Sequence, residues 1–216
     1  MIEVDGAKFY PPIEERINIV SHALGLALSA VALVFLLLKA SANGNARDVV
    51  VAGVFGISLI SLYLTSTIYH AATDIKRRKK LRVVDHSMIY VLIAGTYTPL
   101  ALITLDGNVG WTLFSVSWAT ALAGITLKIF FTGRFEVIST LMYVLMGWMA
   151  IFAIKPLMRE LSPEGLYWLF AGGLAYTVGA ILYAIKKIPF NHAIFHLFVL
   201  AGSACSFVTI YFYVLP

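Results

Sequence analysis

The chain has 216 residues, of which 60% are hydrophobic and only 12% charged, and its mean hydropathy is strongly positive. That balance excludes an ordinary soluble domain of this size. The formal net charge of +5 comes from short basic runs between apolar stretches, which fits contact with anionic lipid headgroups and not nucleic-acid binding.

A membrane span needs about 20 apolar residues, and seven such stretches follow one another along the chain. The opening segment 1–16 is polar, with Glu3, Asp5, Glu14 and Glu15, and does not match a cleavable signal peptide. The first apolar helix is therefore expected to direct insertion. It covers residues 17–38 and ends in a loop from Lys39 to Asp48. The second covers 49–72 and stops at the densest basic run, Lys76-Arg-Arg-Lys-Lys80, read here as a loop. The third covers 83–105, a turn at Asp106-Gly-Asn108 follows, and the fourth covers 111–131. Thr132-Gly-Arg134 leads into the fifth, 137–154. The longest loop is expected next, carrying Lys155, Pro156, Arg159 and Pro163. The sixth stretch covers 166–185, and Lys186-Lys-Ile-Pro189 precedes the seventh, 191–214. The expected fold is all-α: a seven-helix transmembrane bundle forming one polytopic domain over residues 1–216.

Orientation follows from the enrichment of Lys and Arg in cytoplasmic loops. The N-terminal segment and the even loops hold twelve of these residues, and the opposite side holds four: Lys39, Arg47, Lys155 and Arg159. The N-terminus is expected in the cytoplasm and the C-terminus outside, at the cell membrane. Cys205 lies alone in an apolar run, so one chain builds neither a disulfide nor a thiolate metal cluster.

Ionisable residues inside spans are costly and usually face a functional interior. Ser66 and His70 stand four apart, hence on one helix face, at the end of the second stretch. Asp85 lies one turn into the third, and His192 and His196, again four apart, open the seventh. The expected topology puts all five in one layer, roughly 5–12 Å inward from the cytoplasmic helix ends. Each has an ordinary alternative. Paired histidines hydrogen-bond neighbouring helices, Ser66 serves helix packing, and Asp85 pairs with Arg82 at a helix start. His86 points about 100° away from Asp85 and reads as packing or interfacial. Asn18 and His22, one turn apart in the first stretch, read as supporting residues around the layer or as packing.

Three imidazoles converging from two helices suit one zinc ion, which favours His nitrogen and keeps a fourth position for water in catalytic sites. Magnesium and calcium prefer oxygen ligands. Asp85 is placed to activate that water and Ser66 to hydrogen-bond it or an oxyanion, so metal-assisted hydrolysis is the reaction class these residues support. The location points to a lipid-like substrate.

The segments Ser66-Thr-Ile-Tyr-His70, Asp85-His-Ser-Met-Ile-Tyr90 with Ala94-Gly-Thr-Tyr-Thr-Pro99, and His192-Ala-Ile-Phe-His196 with Gly202 resemble the hemolysin III proteins. That family sits with the progestin and adipoQ receptors and, more distantly, the alkaline ceramidases. Glu14-Glu15, Asn18, His22 and Gly25 fit its first span. The resemblance implies zinc held by His70, His192 and His196, with Ser66 and Asp85 matching the serine and aspartate of a proposed hydrolase site. Ala193 departs from it, standing where many bacterial members carry an acidic residue. Three functions stay open: a zinc-dependent hydrolase of lipid amides or esters in membrane-lipid homeostasis, a receptor-like regulator with structural zinc, and a hemolysin-type cytolytic protein. A metal-coupled transporter is a fourth.

The charge bias yields a direct test. A reporter fused after Pro216 is expected to be active only outside the cytoplasm, and cytoplasmic activity of that fusion would reverse the orientation.

Overall fold

The computed structural model describes residues 2–4, 6–105, 107–131 and 136–216. Among them, seven helical segments are long and apolar enough to cross a membrane. A short antiparallel hairpin, β1 (Ile2–Val4) and β2 (Ala7–Phe9), leads into α1 (Pro12–Asn43) and α2 (Ala46–Ala71). Next come α3 (Ile75–Pro99), continued by a wider π turn over Leu100–Leu105, and α4 (Gly107–Phe131). The fifth crossing is broken: α5 (Glu136–Gly147), a tight 3-10 stretch (Met149–Ala153) and α6 (Ile154–Glu160). The chain closes with α7 (Pro163–Ala184) and α8 (Asn191–Val208), which ends in a second π segment, Thr209–Val214. Helix α1 packs between α2 and α8, α3 lies against α2, α4 and α5, and α7 lies against α8.

Helix α1 is turned inside out relative to a soluble helix. On α1 the outward stripe is Val20, Leu24, Leu28, Val31, Phe35 and Leu38, all exposed, while Asn18, His22, Gly25 and Ser29 are buried. Lipid tails are as apolar as leucine, so small and polar residues make the helix contacts instead. Gly25 leaves room for the ring of Tyr63, whose hydroxyl reaches Ser203 Oγ at 2.8 Å, and the Tyr176 hydroxyl meets the same oxygen at 3.0 Å. One serine thereby joins α2, α7 and α8.

The broken fifth crossing is anchored by Tyr97. Its hydroxyl donates to the carbonyl of Gly147 at 2.5 Å and accepts from the Ala150 N–H at 3.0 Å, on either side of the break at Trp148. Irregular backbone at membrane depth is tolerated where its polar groups are satisfied inside the protein, which is what Tyr97 does here.

Three expected loops are largely helical. Of the loop expected from Lys39 to Asp48, only Gly44 and Asn45 lie outside α1 and α2. The basic run Lys76–Lys80 forms the first turns of α3, capped by Asp74, whose side chain accepts from the Arg77 N–H at 2.8 Å. Apolar content alone placed the start of this helix too late, because polar first turns outside the lipid carry no apolar signal. Likewise, most of the expected long loop after residue 154 is α6, and Pro163 is the first residue of α7, with Ser162 as its cap. Proline at that position loses nothing, since its missing N–H would have had no helical partner. Asp106 and Thr132-Gly-Arg134, expected as turns, lie outside the described residues.

Helix α4 shows how tightly the small residues are used. Its buried stripe runs Gly110, Leu113, Ser117, Ala121, Gly124 and Lys128, and the Tyr90 ring lies where a Gly124 side chain would stand. Gly124→Val is expected to lower Tm through overpacking of about 1–3 kcal/mol. Gly147→Ala, where a methyl meets open space, should leave Tm unchanged. Equal Tm values for the two variants would refute this account of the α3–α4 contact.

Candidate functional site

The end of α2, the start of α8 and the first turns of α1 meet at the end of the bundle covered by the hairpin. His70 comes from the last turn of α2, and His192 and His196 from the first turns of α8. One nitrogen of each lies within 4.8 Å of the others, and all three side chains are buried. The Nε2 atom of His192 is 3.1 Å from Nε2 of His70 and 3.1 Å from Nε2 of His196.

The surrounding groups fix which nitrogens carry protons. His70 Nδ1 is 2.7 Å from Glu15 Oε2 and donates to it, leaving Nε2 with its lone pair. Ser21 Oγ donates to the Asn18 carbonyl at 3.1 Å, so its lone pairs face His196 Nδ1 at 3.3 Å. His196 Nε2 is therefore also a lone pair. A proton on His192 Nε2 serves only one of these two neighbours, and without it three lone pairs face one another. A cation accepts all three at once. Zinc bonds to imidazole at about 2.0–2.1 Å, so two ligand nitrogens of a tetrahedral site stand roughly 3.3 Å apart, close to the 3.1 Å found here. The donor set thus fits a metal ion of the imidazole-preferring kind.

Asn18 and His22 flank the cluster. Asn18 Nδ2 is 3.4 Å from His70 Nδ1, and the His22 ring stacks on that of His196 with centroids 3.5 Å apart. Neither ring nitrogen of His22 has a hydrogen-bond partner among the described residues, nor does His192 Nδ1. Ser66 and Asp85 are buried, on α2 and α3. Both line an interhelical cavity of about 160 Å³ whose wall also includes His22, His192 and His196. His86, expected to pack away from Asp85, lines this cavity too, because the opening spans the α3–α4–α5 side of the helix as well.

Four contributors escaped the sequence reading. Glu15, noted there for the polar opening segment and the family resemblance but given no role in the site, is the partner of His70, and it lies three residues before Asn18 on the same helical face. That spacing was the available signal. Ser21 sits beside His22 without a periodic mark of its own. Tyr10 stacks on His192 with centroids 4.5 Å apart. Burial, reinforced by the neighbouring Tyr183 and Tyr69, raises the Tyr10 phenol well above its ordinary range, so it stays neutral. Arg78, one of five basic residues in a row, is buried. Helix α8 starts from Phe190 in a left-handed conformation with no side-chain cap of its own. Glu14, in the first turn of α1, is buried, and its Oε1 has no hydrogen-bond partner among the described residues.

A family model described as Haemolysin-III related matches residues 11–207. The chain belongs to the hemolysin III family. It is 51% identical over 203 residues to "Hemolysin-3" of Bacillus cereus, covering 94% of this chain and 93% of the relative. It is 50% identical over 200 residues to the "Hemolysin-3 homolog" of Bacillus subtilis (strain 168), with 93% and 94% covered. A more distant likeness is to the human "Monocyte to macrophage differentiation factor", 27% identical over 172 residues, 76% of this chain and 70% of that one. Like its hemolysin III relatives, this is a multi-pass membrane protein in contact with membrane lipids.

The imidazole geometry sets an expectation for metal. Purified protein should retain about one zinc per chain through dialysis and release it on acidification, because imidazole must be neutral to ligate. His70→Ala, His192→Ala and His196→Ala should each lower both metal content and Tm. Elemental analysis showing no metal in wild type prepared with zinc present would remove the basis for this assignment.

Proposed function

We propose that this hemolysin III protein is a zinc-dependent hydrolase of lipid amide or ester bonds, serving membrane-lipid homeostasis, with its site towards the cytoplasmic face. The observation that carries this reading is that Ser66 and Asp85, both buried, face the same cavity as His192 and His196. A purely structural metal site has no use for a serine and an aspartate buried beside it.

His70, His192 and His196 are the proposed ligands. Zinc in a site of three protein ligands supplies Lewis acidity toward a carbonyl and a water. The protein's own residues then divide the work. The Asp85 carboxylate takes a proton from the attacking water and passes it to the leaving amine or alkoxide. Ser66 donates to the oxygen on which charge develops. The cavity supports a lipid substrate. It follows α8 from His192 to Ser206, fourteen residues or about 21 Å at 1.5 Å per residue, and its middle is apolar, with Leu62, Ile89, Leu92 and Val199. An acyl chain fits that lining with its polar linkage at the histidine end.

The name of the Bacillus cereus relative raises cytolysis as a second reading. A water-filled pore requires polar side chains along its whole length. The ionisable residues of this cavity gather instead at one end, in His22, Asp85, His86, Lys128, His192 and His196, which favours hydrolysis.

Ligation and chemistry separate under mutation. Ser66→Ala and Asp85→Asn should keep their zinc and most of their stability while losing hydrolysis of a lipid amide or ester about 100-fold or more. Wild type inert toward a broad lipid panel, with both variants fully functional in cells, would favour a receptor-like regulator with structural zinc.

A further inference from the structure

The buried guanidinium of Arg78 has no part in the proposed chemistry, yet it touches nearly every element around the histidines. Its Nη1 donates to the carbonyls of Tyr69, His70 and Ala72 at 3.3, 3.1 and 2.9 Å, closing the C-terminus of α2. A cation belongs there, since the last carbonyls of a helix are unpaired and carry its negative dipole end. Nη2 pairs with Glu15 Oε1, while Oε2 of the same carboxylate receives Nδ1–H of His70. Nε donates to the Lys8 carbonyl at 2.6 Å, and the guanidinium lies over the Phe9 ring at 4.4 Å, so the same side chain holds strand β2. The chain just after β2 completes the circuit. The Tyr10 N–H donates to Glu15 Oε1 at 2.9 Å, and the Tyr10 ring stacks on His192.

We infer that Arg78 is a positioning residue that orients His70 through Glu15 and seats the N-terminal hairpin over the histidine cluster, so that metal retention and hairpin seating are coupled. The inference rests on the metal reading given above. A ligating histidine whose other nitrogen is held by a carboxylate is fixed in tautomer and ring direction, and losing such a partner typically weakens metal binding about 10–100-fold. Lysine does not substitute, because a single ammonium cannot bridge the α2 carbonyls, Glu15 and Lys8 together. Coupling of this kind is reciprocal: whatever unseats the hairpin weakens the metal, and removing the metal frees the hairpin.

The test uses the full-length protein, purified in detergent and loaded with zinc, and follows zinc transfer to a competing chelator. Arg78→Lys, Glu15→Gln and deletion of residues 2–9 are each expected to weaken zinc binding about 10–100-fold. Arg78→Lys combined with Glu15→Gln should weaken it little more than Glu15→Gln alone, because the arginine acts through the glutamate. Cobalt-loaded Arg78→Lys should show a changed visible absorption band. In the reverse direction, Ala7 is almost fully buried. Ala7→Cys, placed in a Cys205→Ser background, should react with a maleimide about tenfold faster once zinc is stripped. Zinc binding, cobalt spectrum and labelling rate unchanged in Arg78→Lys, with only Tm lowered, would reduce Arg78 to a helix cap and overturn the inference while leaving the metal site intact. Wild type that holds neither zinc nor cobalt would overturn both.

Discussion

A charged or strongly polar group inside a lipid-solvated bundle is costly unless another group of the same bundle answers it. The arrangement around Glu15 obeys that constraint. One carboxylate pairs with Arg78, accepts from His70 and receives the Tyr10 N–H. Arg78 in turn closes three carbonyls at the end of α2. On the inference drawn for Arg78, the seating of the hairpin and the direction of the His70 ring follow from keeping these groups mutually satisfied. Removing one member leaves the others buried and unpaired, which costs more than the lost contact itself.

The same reasoning accounts for the shape of the helices away from the site. Tyr63 and Tyr176 share Ser203, and Tyr97 bridges the break in the fifth crossing, so the phenols act as internal partners in place of water. Glycines stand where these rings pass close to a backbone, as Gly25 does for Tyr63 and Gly124 for Tyr90. Packing quality here is set by where small residues admit large rings, not by the amount of apolar surface removed from water.

How legible this was depended on the kind of signal. Seven long apolar runs are hard to mistake, and the crossings lie where hydropathy puts them. Their ends were less clear, because the basic first turns of α3 and the polar turns of α6 are helical for reasons of capping that an apolar pattern does not carry. In the candidate site, the histidines, Ser66 and Asp85 stood out as rare ionisable or polar residues at helical spacing. Arg78 did not: it sits between Arg77 and Lys79, and only the tertiary fold makes it the buried member of the run. Tyr10 lies before the first helix, where no periodicity marks it.

The distribution of partners divides the molecule. On one side α1, α2 and α8 are tied together by ion pairs, hydrogen bonds and stacked rings that fix each imidazole in direction. On the other side the cavity wall is completed by α5, which ends at the Trp148 break, and by α7, whose buried face is largely glycine and alanine. A reactive constellation needs to be held to within a fraction of an ångström, while a chamber for a long apolar chain needs room and the capacity to adjust. The two demands conflict if the same helices serve both. On the proposed reading the two are kept apart, with Ser66 and Asp85, on α2 and α3, facing the cavity at the seam between the two sides.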